Sequence, residues 1–136
     1  MIVDTSALVA IAYREPAYEA MREALLSETG IIPAPVIIEF HRVTKLAGNA
    51  INPAAEAIVD LALENAITIG PFDRMAADAA VAANQPYGKG NDRGGLLNML
   101  DLMVYGMAKA RDLPILCTGR DFASTDATLH PASRNW

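Results

Sequence analysis

Four carboxylates in apolar surroundings are the side chains in this sequence best suited to chemistry. One closes the apolar N-terminal run, two interrupt apolar segments, and one follows an apolar segment after a short turn; they are Asp4, Glu39, Asp101 and Asp121. An ionised carboxylate is costly to bury unless a cation or hydrogen-bond donors compensate it. Carboxylate oxygens suit Mg²⁺ and Mn²⁺ as ligands. The four residues therefore predict a shared site for a divalent cation, magnesium first and manganese as the alternative.

Each of these carboxylates also has a simpler structural explanation. Asp4 is suited to cap the helix that follows it, because aspartate is common at the N-cap position. Glu39 borders an apolar helix face and stands three residues before Arg42, with which it can pair. Asp101 follows Asn98 by three residues, the spacing of a capping box, and helix N-termini favour acids. A capping role for Asp101 is compatible with metal binding.

The fourth acidic position has two candidates, Asp121 and Asp126. We favour Asp121 because it follows the last strong strand pattern more closely, with Thr118 able to hydrogen-bond beside it. Either acid is also explained as a helix cap or turn residue. Thr5 and Ser6 are predicted first to cap the first helix, and second to donate hydrogen bonds to water or phosphate. Thr5 and Thr118 are also candidates to support the ligands or to contact substrate.

Short apolar runs alternate with helical patterns along the chain. This alternation predicts an α/β fold, with a central, mostly parallel β-sheet flanked by α-helices. Such sheets bind ligands at the carboxyl ends of their strands, where Asp4 and Asp121 lie. The predicted strands cover residues 1–4, 31–34, 67–69 and 114–118, with an edge strand at 127–130. The predicted helices cover residues 7–13, 17–27, 36–46, 53–65, 72–84, 99–111 and 122–124.

The composition predicts one folded domain over residues 1–136. Hydrophobic residues make up 52% of the chain and charged residues 20%, which argues against disorder. The net charge of −5 argues against broad, nonspecific binding to nucleic acid. It does not exclude a nuclease, because bound cations would reverse the local field. No apolar run is long enough for a membrane span or a signal peptide, and no membrane association is expected.

The cysteine and histidine residues do not predict a disulfide or a zinc site. Cys117 is the single cysteine, which favours a reduced, cytoplasmic setting. His41 and His130 lack zinc-ligand spacing with each other and with Cys117. The glycine-rich stretch 87–95 matches no nucleotide-binding motif, and we interpret it as a loop. Its Lys89 and Arg93 are candidates to contact phosphate.

The ordered set of motifs resembles the PIN-domain family, specifically the VapC-type toxin ribonucleases of bacterial toxin–antitoxin pairs. Residues 1–8, MIVDTSAL, are similar to the first acidic motif of that family. Residues 97–109 and 113–122 resemble the helix of the third acid and the last strand with its following acid. Glu39 lies in the helix of the second acid, and Asp126 matches a frequent family position. One departure is Leu100, where the family often has glycine.

This resemblance implies a layered PIN-like fold, magnesium-dependent cleavage of RNA, a homodimer and inhibition by a cognate antitoxin protein. The hypothesis is that the four carboxylates bind one or two Mg²⁺ or Mn²⁺ ions, which activate water and stabilise charge on the phosphate. The residues expected to position the RNA backbone are Lys89, Arg93 and Arg120.

The alternative is a non-catalytic, magnesium-binding domain with an acidic pocket, used in signalling or in binding a partner. Receiver-like signalling modules also place aspartates at strand ends. They usually need a lysine after a late strand, where this chain has Thr118, Gly119 and Arg120. Incubation with RNA in the presence of magnesium or of a chelator distinguishes these classes.

Overall fold

Four parallel strands form one sheet in the computed structural model, which describes residues 1–133. The strands are β1 (Ile2–Val3), β2 (Gly30–Pro33), β3 (Ile67–Gly70) and β4 (Ile115–Leu116). The helices are α1 (Thr5–Ala12), α2 (Tyr18–Ser27), α3 (Ala34–Thr44), α4 (Pro53–Glu64), α5 (Arg74–Tyr87) and α6 (Met99–Arg111). Two 3₁₀ turns cover Ala47–Asn49 and Phe122–Ser124. This architecture confirms the predicted α/β class.

In the strand order β3-β2-β1-β4, the order in which strands are added to the sheet reverses between β1 and β4. The chain builds outward from β1 to β3 and then crosses to the other side of β1. Ile2 is paired with Ile31 of β2 on one side and with Ile115 of β4 on the other. A ligand site in such a sheet is expected outside the carboxyl ends of the two strands at the reversal. Here these ends lead into Asp4 and into residues 117–121.

The core explains why the strands are almost entirely apolar. Ile2, Val3, Ile115 and Leu116 have no exposed surface, as expected for strands covered by helices on both faces. Helices α5 and α6 pack against each other through Gly106. A Cβ atom on Gly106 would lie 2.2 Å from the carbonyl oxygen of Ala76, so only glycine allows this approach.

Two predicted helix boundaries are wrong in detail. Helix α1 begins at Thr5, because Asp4 and not Thr5 or Ser6 is its N-cap. Helix α5 runs to Tyr87 and includes Pro86, whereas its end was predicted before residue 85. Proline removes only one hydrogen bond in a last turn, and the backbone N–H of Gly88 still donates to Asn84.

The predicted edge strand at 127–130 is reduced to a single bridge beside β4. Leu129 pairs with Ile115, and the backbone N–H of His130 donates to the Ile115 carbonyl at 2.8 Å. The prediction of one domain extends to residues 134–136, which lie outside the described residues. Within residues 1–133, no helix combines the length and the apolar character needed to cross a membrane.

Candidate functional site

Asp4 occupies the carboxyl end of the central strand β1. It is 6% exposed and caps α1, with its Oδ2 accepting hydrogen bonds from the Ser6 backbone N–H at 2.9 Å and the Ser6 hydroxyl at 2.5 Å. Burial raises the pKa of Asp4, and the bonds from Ser6 oppose that rise. The charge of Glu39 raises the pKa further. The capping explanation for Asp4 is therefore correct, yet its carboxylate remains poorly stabilised as an anion.

Ser6 connects the two strand ends that flank the reversal of strand order. Its hydroxyl donates to Asp4 and accepts a hydrogen bond from the backbone N–H of Thr118 at 3.0 Å. From the sequence, Ser6 was predicted to cap the helix or to donate to water or phosphate, and this bridge was not predicted. Its partner lies 112 residues away, and no local pattern indicates such a contact. The bridge holds the start of α1 against the segment that leads to Asp121.

Asp101 lies in the first turn of α6 and completes a capping box with Asn98. Its Oδ2 accepts the Asn98 backbone N–H at 2.7 Å, while Asn98 Oδ1 accepts the backbone N–H groups of residues 100 and 101. Burial raises the pKa of Asp101 to about 6, against the lowering effect of the bond from Asn98. The negative charges of Asp4, Asp121 and Glu39 raise it further. The other three sequence-predicted carboxylates therefore all act electrostatically on Asp101.

Glu39 and Asp121 lie at the more open part of this acidic site. Glu39 is half-buried on α3 and lines a cleft together with Leu100, the residue directly before Asp101. Asp121 is exposed at the start of the 3₁₀ turn. The side chain of Asp121 makes no cap hydrogen bond there, although such a cap was one explanation considered for it. Its carboxylate is therefore not used to cap the 3₁₀ turn.

Asp126 is engaged elsewhere. Its Oδ1 accepts the Tyr105 hydroxyl at 2.6 Å, and its Oδ2 accepts Lys109 Nζ at 3.0 Å. The bond from Tyr105, followed by that from Lys109, lowers the pKa of Asp126. Both of its oxygens thus have protein partners. This geometry favours Asp121 over Asp126 as the fourth acid.

The donor set fits a hard divalent cation in its chemistry. Carboxylate oxygens would be its ligands, and a cation would relieve the repulsion that raises the pKa of Asp101. The Oγ1 of Thr5, next to Asp4, is buried and has no hydrogen-bond partner within residues 1–133. Over the same residues, no three acidic, histidine or cysteine side chains are grouped closely enough to form a ready-made metal site. Like charges are expected to stay apart until a cation offsets their repulsion.

The three cations predicted to contact RNA are all exposed. Lys89 and Arg93 lie in the loop between α5 and α6, which Gly88 and Leu97 close through a backbone bridge. Arg120 directly precedes Asp121. None of the three is in an ion pair with a described residue. They are therefore free to meet a charged ligand.

The sequence model of the PIN domain family matches residues 1–127. That match covers the whole sheet and all four carboxylates. The chain belongs to the PIN-domain family. The resemblance found in the motifs is thereby confirmed over nearly the full length of the chain.

Relatives of this PIN domain carry the VapC name. It is 39% identical to ribonuclease VapC30 of Mycobacterium tuberculosis, with 93% of this chain and 95% of that protein aligned. It is 33% identical to ribonuclease VapC42 of the same species, with 97% of this chain and 98% of that protein aligned. Both alignments span the two proteins almost end to end.

Solved structures support the fold of this PIN domain. VapC20 of M. tuberculosis, described as a toxin that cleaves the sarcin-ricin loop, superposes with a TM-score of 0.70 at 14% identity and covers 93% of this chain and 95% of its own. A toxin–antitoxin complex from Klebsiella pneumoniae superposes with a TM-score of 0.69 at 19% identity, covering 98% of both chains. At these identities the superpositions establish the PIN-like fold alone.

Proposed function

We propose that this PIN domain is a magnesium-dependent endoribonuclease and the toxin of a toxin–antitoxin pair. The observation that carries the proposal is the electrostatic convergence of Asp4, Glu39 and Asp121 on Asp101, in a chain whose relatives are VapC ribonucleases. A buried acid with a raised pKa beside other acids is typical of a functional site. Because RNA is the proposed substrate, we place the activity in the cytoplasm.

The four carboxylates would hold Mg²⁺, or Mn²⁺ in its place. When bound, the divalent ion supplies an activated water nucleophile and stabilises charge on the phosphate. The protein keeps Asp4 in position through Ser6, and it keeps Asp101 in position through the capping box of α6. Two of the ligands are therefore fixed by regular structure, which limits the reorganisation needed on loading.

Neighbouring polar groups would support this site. The Oγ1 of Thr5, which has no hydrogen-bond partner among residues 1–133, lies next to Asp4, where it would hydrogen-bond a ligand water or a phosphate oxygen. Thr118 would act beside it at the end of β4, where its backbone already binds Ser6. The exposed cations proposed to position the RNA backbone are Lys89, Arg93 and Arg120.

Labelled cellular RNA tests the activity directly. The purified protein is incubated with it in Mg²⁺, in Mn²⁺ and in a chelator, and products are resolved by electrophoresis. We expect cleavage only with metal, and we expect Asp4→Asn and Asp101→Asn each to lower its rate by more than about 100-fold, since even residues that only orient metal ligands contribute about 10- to 100-fold.

Asp60→Asn is the matched control, because it removes one exposed carboxylate from α4, a helix that carries none of the four proposed ligands. It should cleave like the unmodified protein. Cleavage that persists in both acid-site variants, or in the chelator, would indicate a contaminating nuclease and refute the proposal.

The cognate antitoxin and a homodimer are the partners we propose. The solved structures that share this fold include a toxin–antitoxin complex from Klebsiella pneumoniae. Co-expression with the product of the adjacent upstream reading frame, if it encodes a small DNA-binding protein, should give a co-purifying complex without ribonuclease activity. Multi-angle light scattering of the protein alone measures whether it forms the dimer.

A further inference from the structure

A cleft leads away from the acidic site along α3. It has a volume of about 500 Å³, and its lining includes Glu39, Leu100, Arg42 and Lys45. Because Leu100 directly precedes Asp101, this cleft begins at the proposed catalytic carboxylates. Positive side chains therefore follow the acids within a single depression of the surface.

A second cleft continues the first. It has a volume of about 460 Å³ and shares Ile38, Arg42 and Lys45 with the first cleft. Its lining extends to His41 and to the 3₁₀ turn that follows α3. We name the two together the α3 groove; its lining residues are Pro35, Ile38, Glu39, His41, Arg42, Val43, Lys45, Asn49, Ile51 and Leu100.

The charge of the α3 groove is opposite to that of the protein. The chain carries a net charge of −5, yet the groove is lined by two cations, Arg42 and Lys45, and one acid, Glu39. Neither cation is in an ion pair within residues 1–133, so the i+3 pairing of Glu39 with Arg42 anticipated from sequence is absent there. Lys45 Nζ donates instead to the neutral Asn49 side chain at 2.5 Å.

The remaining surface of the groove suits the sugar and base portions of a nucleic acid. Ile38 is 67% exposed and Ile51 is 58% exposed, so apolar surface lies beside the two cations. The Nδ1 of His41 is buried without a hydrogen-bond partner in the part of the chain that the structure describes. A chain of alternating phosphates and apolar faces would meet complementary groups along this path.

We propose that the α3 groove binds the single-stranded RNA that flanks the scissile phosphate, with Arg42 and Lys45 each contacting a backbone phosphate. The proposal rests on the ribonuclease function proposed above. Phosphates next to the one being cleaved are repelled by the four carboxylates and need cations nearby. Arg42 and Lys45 start at the edge of the acidic site and continue along one direction, which would set the course of the RNA.

The simplest competing explanation is that these cations stabilise the end of α3. Basic residues in the last turn interact favourably with the helix dipole. That role predicts a loss of thermal stability on neutralising them, but no change in the salt dependence of RNA binding. The two explanations are therefore separable by experiment.

The test measures binding of a short, fluorescein-labelled, single-stranded RNA of mixed sequence by fluorescence anisotropy over a range of salt concentrations. The Asp101→Asn protein serves as background to prevent cleavage. Onto it are placed Arg42→Gln with Lys45→Gln, or, as control, Arg14→Gln with Arg22→Gln. The control removes the same charge from a separate groove that α1, α2 and α4 form.

We expect the Arg42/Lys45 variant to make the slope of log K against log salt less negative by about 1.4, since each single-strand phosphate contact contributes about −0.7. The control variant should keep the slope of its background. In an otherwise unmodified protein, the Arg42/Lys45 variant should raise the KM for RNA cleavage more than it lowers kcat.

An unchanged slope in the Arg42/Lys45 variant, or an equal fall in both double variants, overturns the proposal. If the slope is unchanged but the mass in light scattering changes, the groove is a contact between two copies of the protein. If the slope is unchanged but the antitoxin no longer co-purifies, the groove binds the antitoxin. If the unmodified protein cleaves RNA but the slope is unchanged, only the groove assignment fails. If the unmodified protein does not cleave RNA and the background does not bind it, the proposed function fails too.

Discussion

Replacing Asp101 with asparagine separates its charge from its capping role. The amide keeps an oxygen that can accept the Asn98 backbone N–H, and it removes the negative charge that Asp4, Glu39 and Asp121 repel. Without metal, we therefore expect the variant to be more stable than the unmodified protein at neutral pH. A carboxylate that served only as a cap would give the opposite result.

The size of the effect follows from the pKa of Asp101. Its rise from 3.8 to about 6 corresponds to at most about 3 kcal/mol, at about 1.36 kcal/mol per pH unit. The carboxylate is only partly buried, so solvent screening reduces this to about 1 kcal/mol. A change of that size shifts Tm by about 4 °C in a domain of this length.

The pH dependence has a defined sign. A folded-state pKa above the unfolded value means that the folded protein binds the extra proton between pH 3.8 and about 6. The stability contributed by this group is thus complete below pH 3.8 and is lost as the pH rises to about 6. Asp101→Asn should match the unmodified protein at the acid end and exceed it above about pH 6.

Thermal denaturation in a chelator, followed by circular dichroism at several pH values, measures this difference. Added Mg²⁺ should then stabilise the unmodified protein, by about 2.7 kcal/mol at a hundredfold excess over Kd, and the variant less. Asp60→Asn controls for the loss of one negative charge. If Asp101→Asn is less stable at pH 8 in the chelator and gains equally from Mg²⁺, the electrostatic explanation is refuted and Asp101 is only a cap.

Two further substitutions test how the fold positions this site. Gly106→Ala should lower the free energy of unfolding by more than about 2 kcal/mol, because its Cβ would overlap the Ala76 carbonyl oxygen, and denaturant titration measures this loss; a neutral result would refute the close approach of α5 and α6. Asp126→Asn should be less stable at neutral pH. The lowered pKa of Asp126 means that its contribution is present above pH 3.8 and is lost as the pH falls through the folded-state value, so the two proteins should converge in acid; a pH-independent difference in Tm would contradict the ionic interaction with Lys109.

Much of the fold could be predicted because its signals are local. The alternation of short apolar runs with helical segments predicts a parallel sheet, and the structure confirms it. The capping box of Asn98 and Asp101 could also be predicted, since its two members are three residues apart. The extension of α5 through Pro86 could not be predicted, because packing against α6 adds stability that the local preference against proline does not include.

The acidic site likewise has features that local sequence predicts and features that depend on tertiary packing. The sequence by itself determined which residues are acidic, their places after β1 and in the first turn of α6, and the order of motifs that marks a PIN domain. Only the tertiary structure shows that both oxygens of Asp126 have partners on α6, Tyr105 and Lys109, which favours Asp121 as the fourth acid. The same holds for the bridge from Ser6 to Thr118. Contacts between distant segments depend on how strands and helices pack, and no short stretch of sequence specifies that packing.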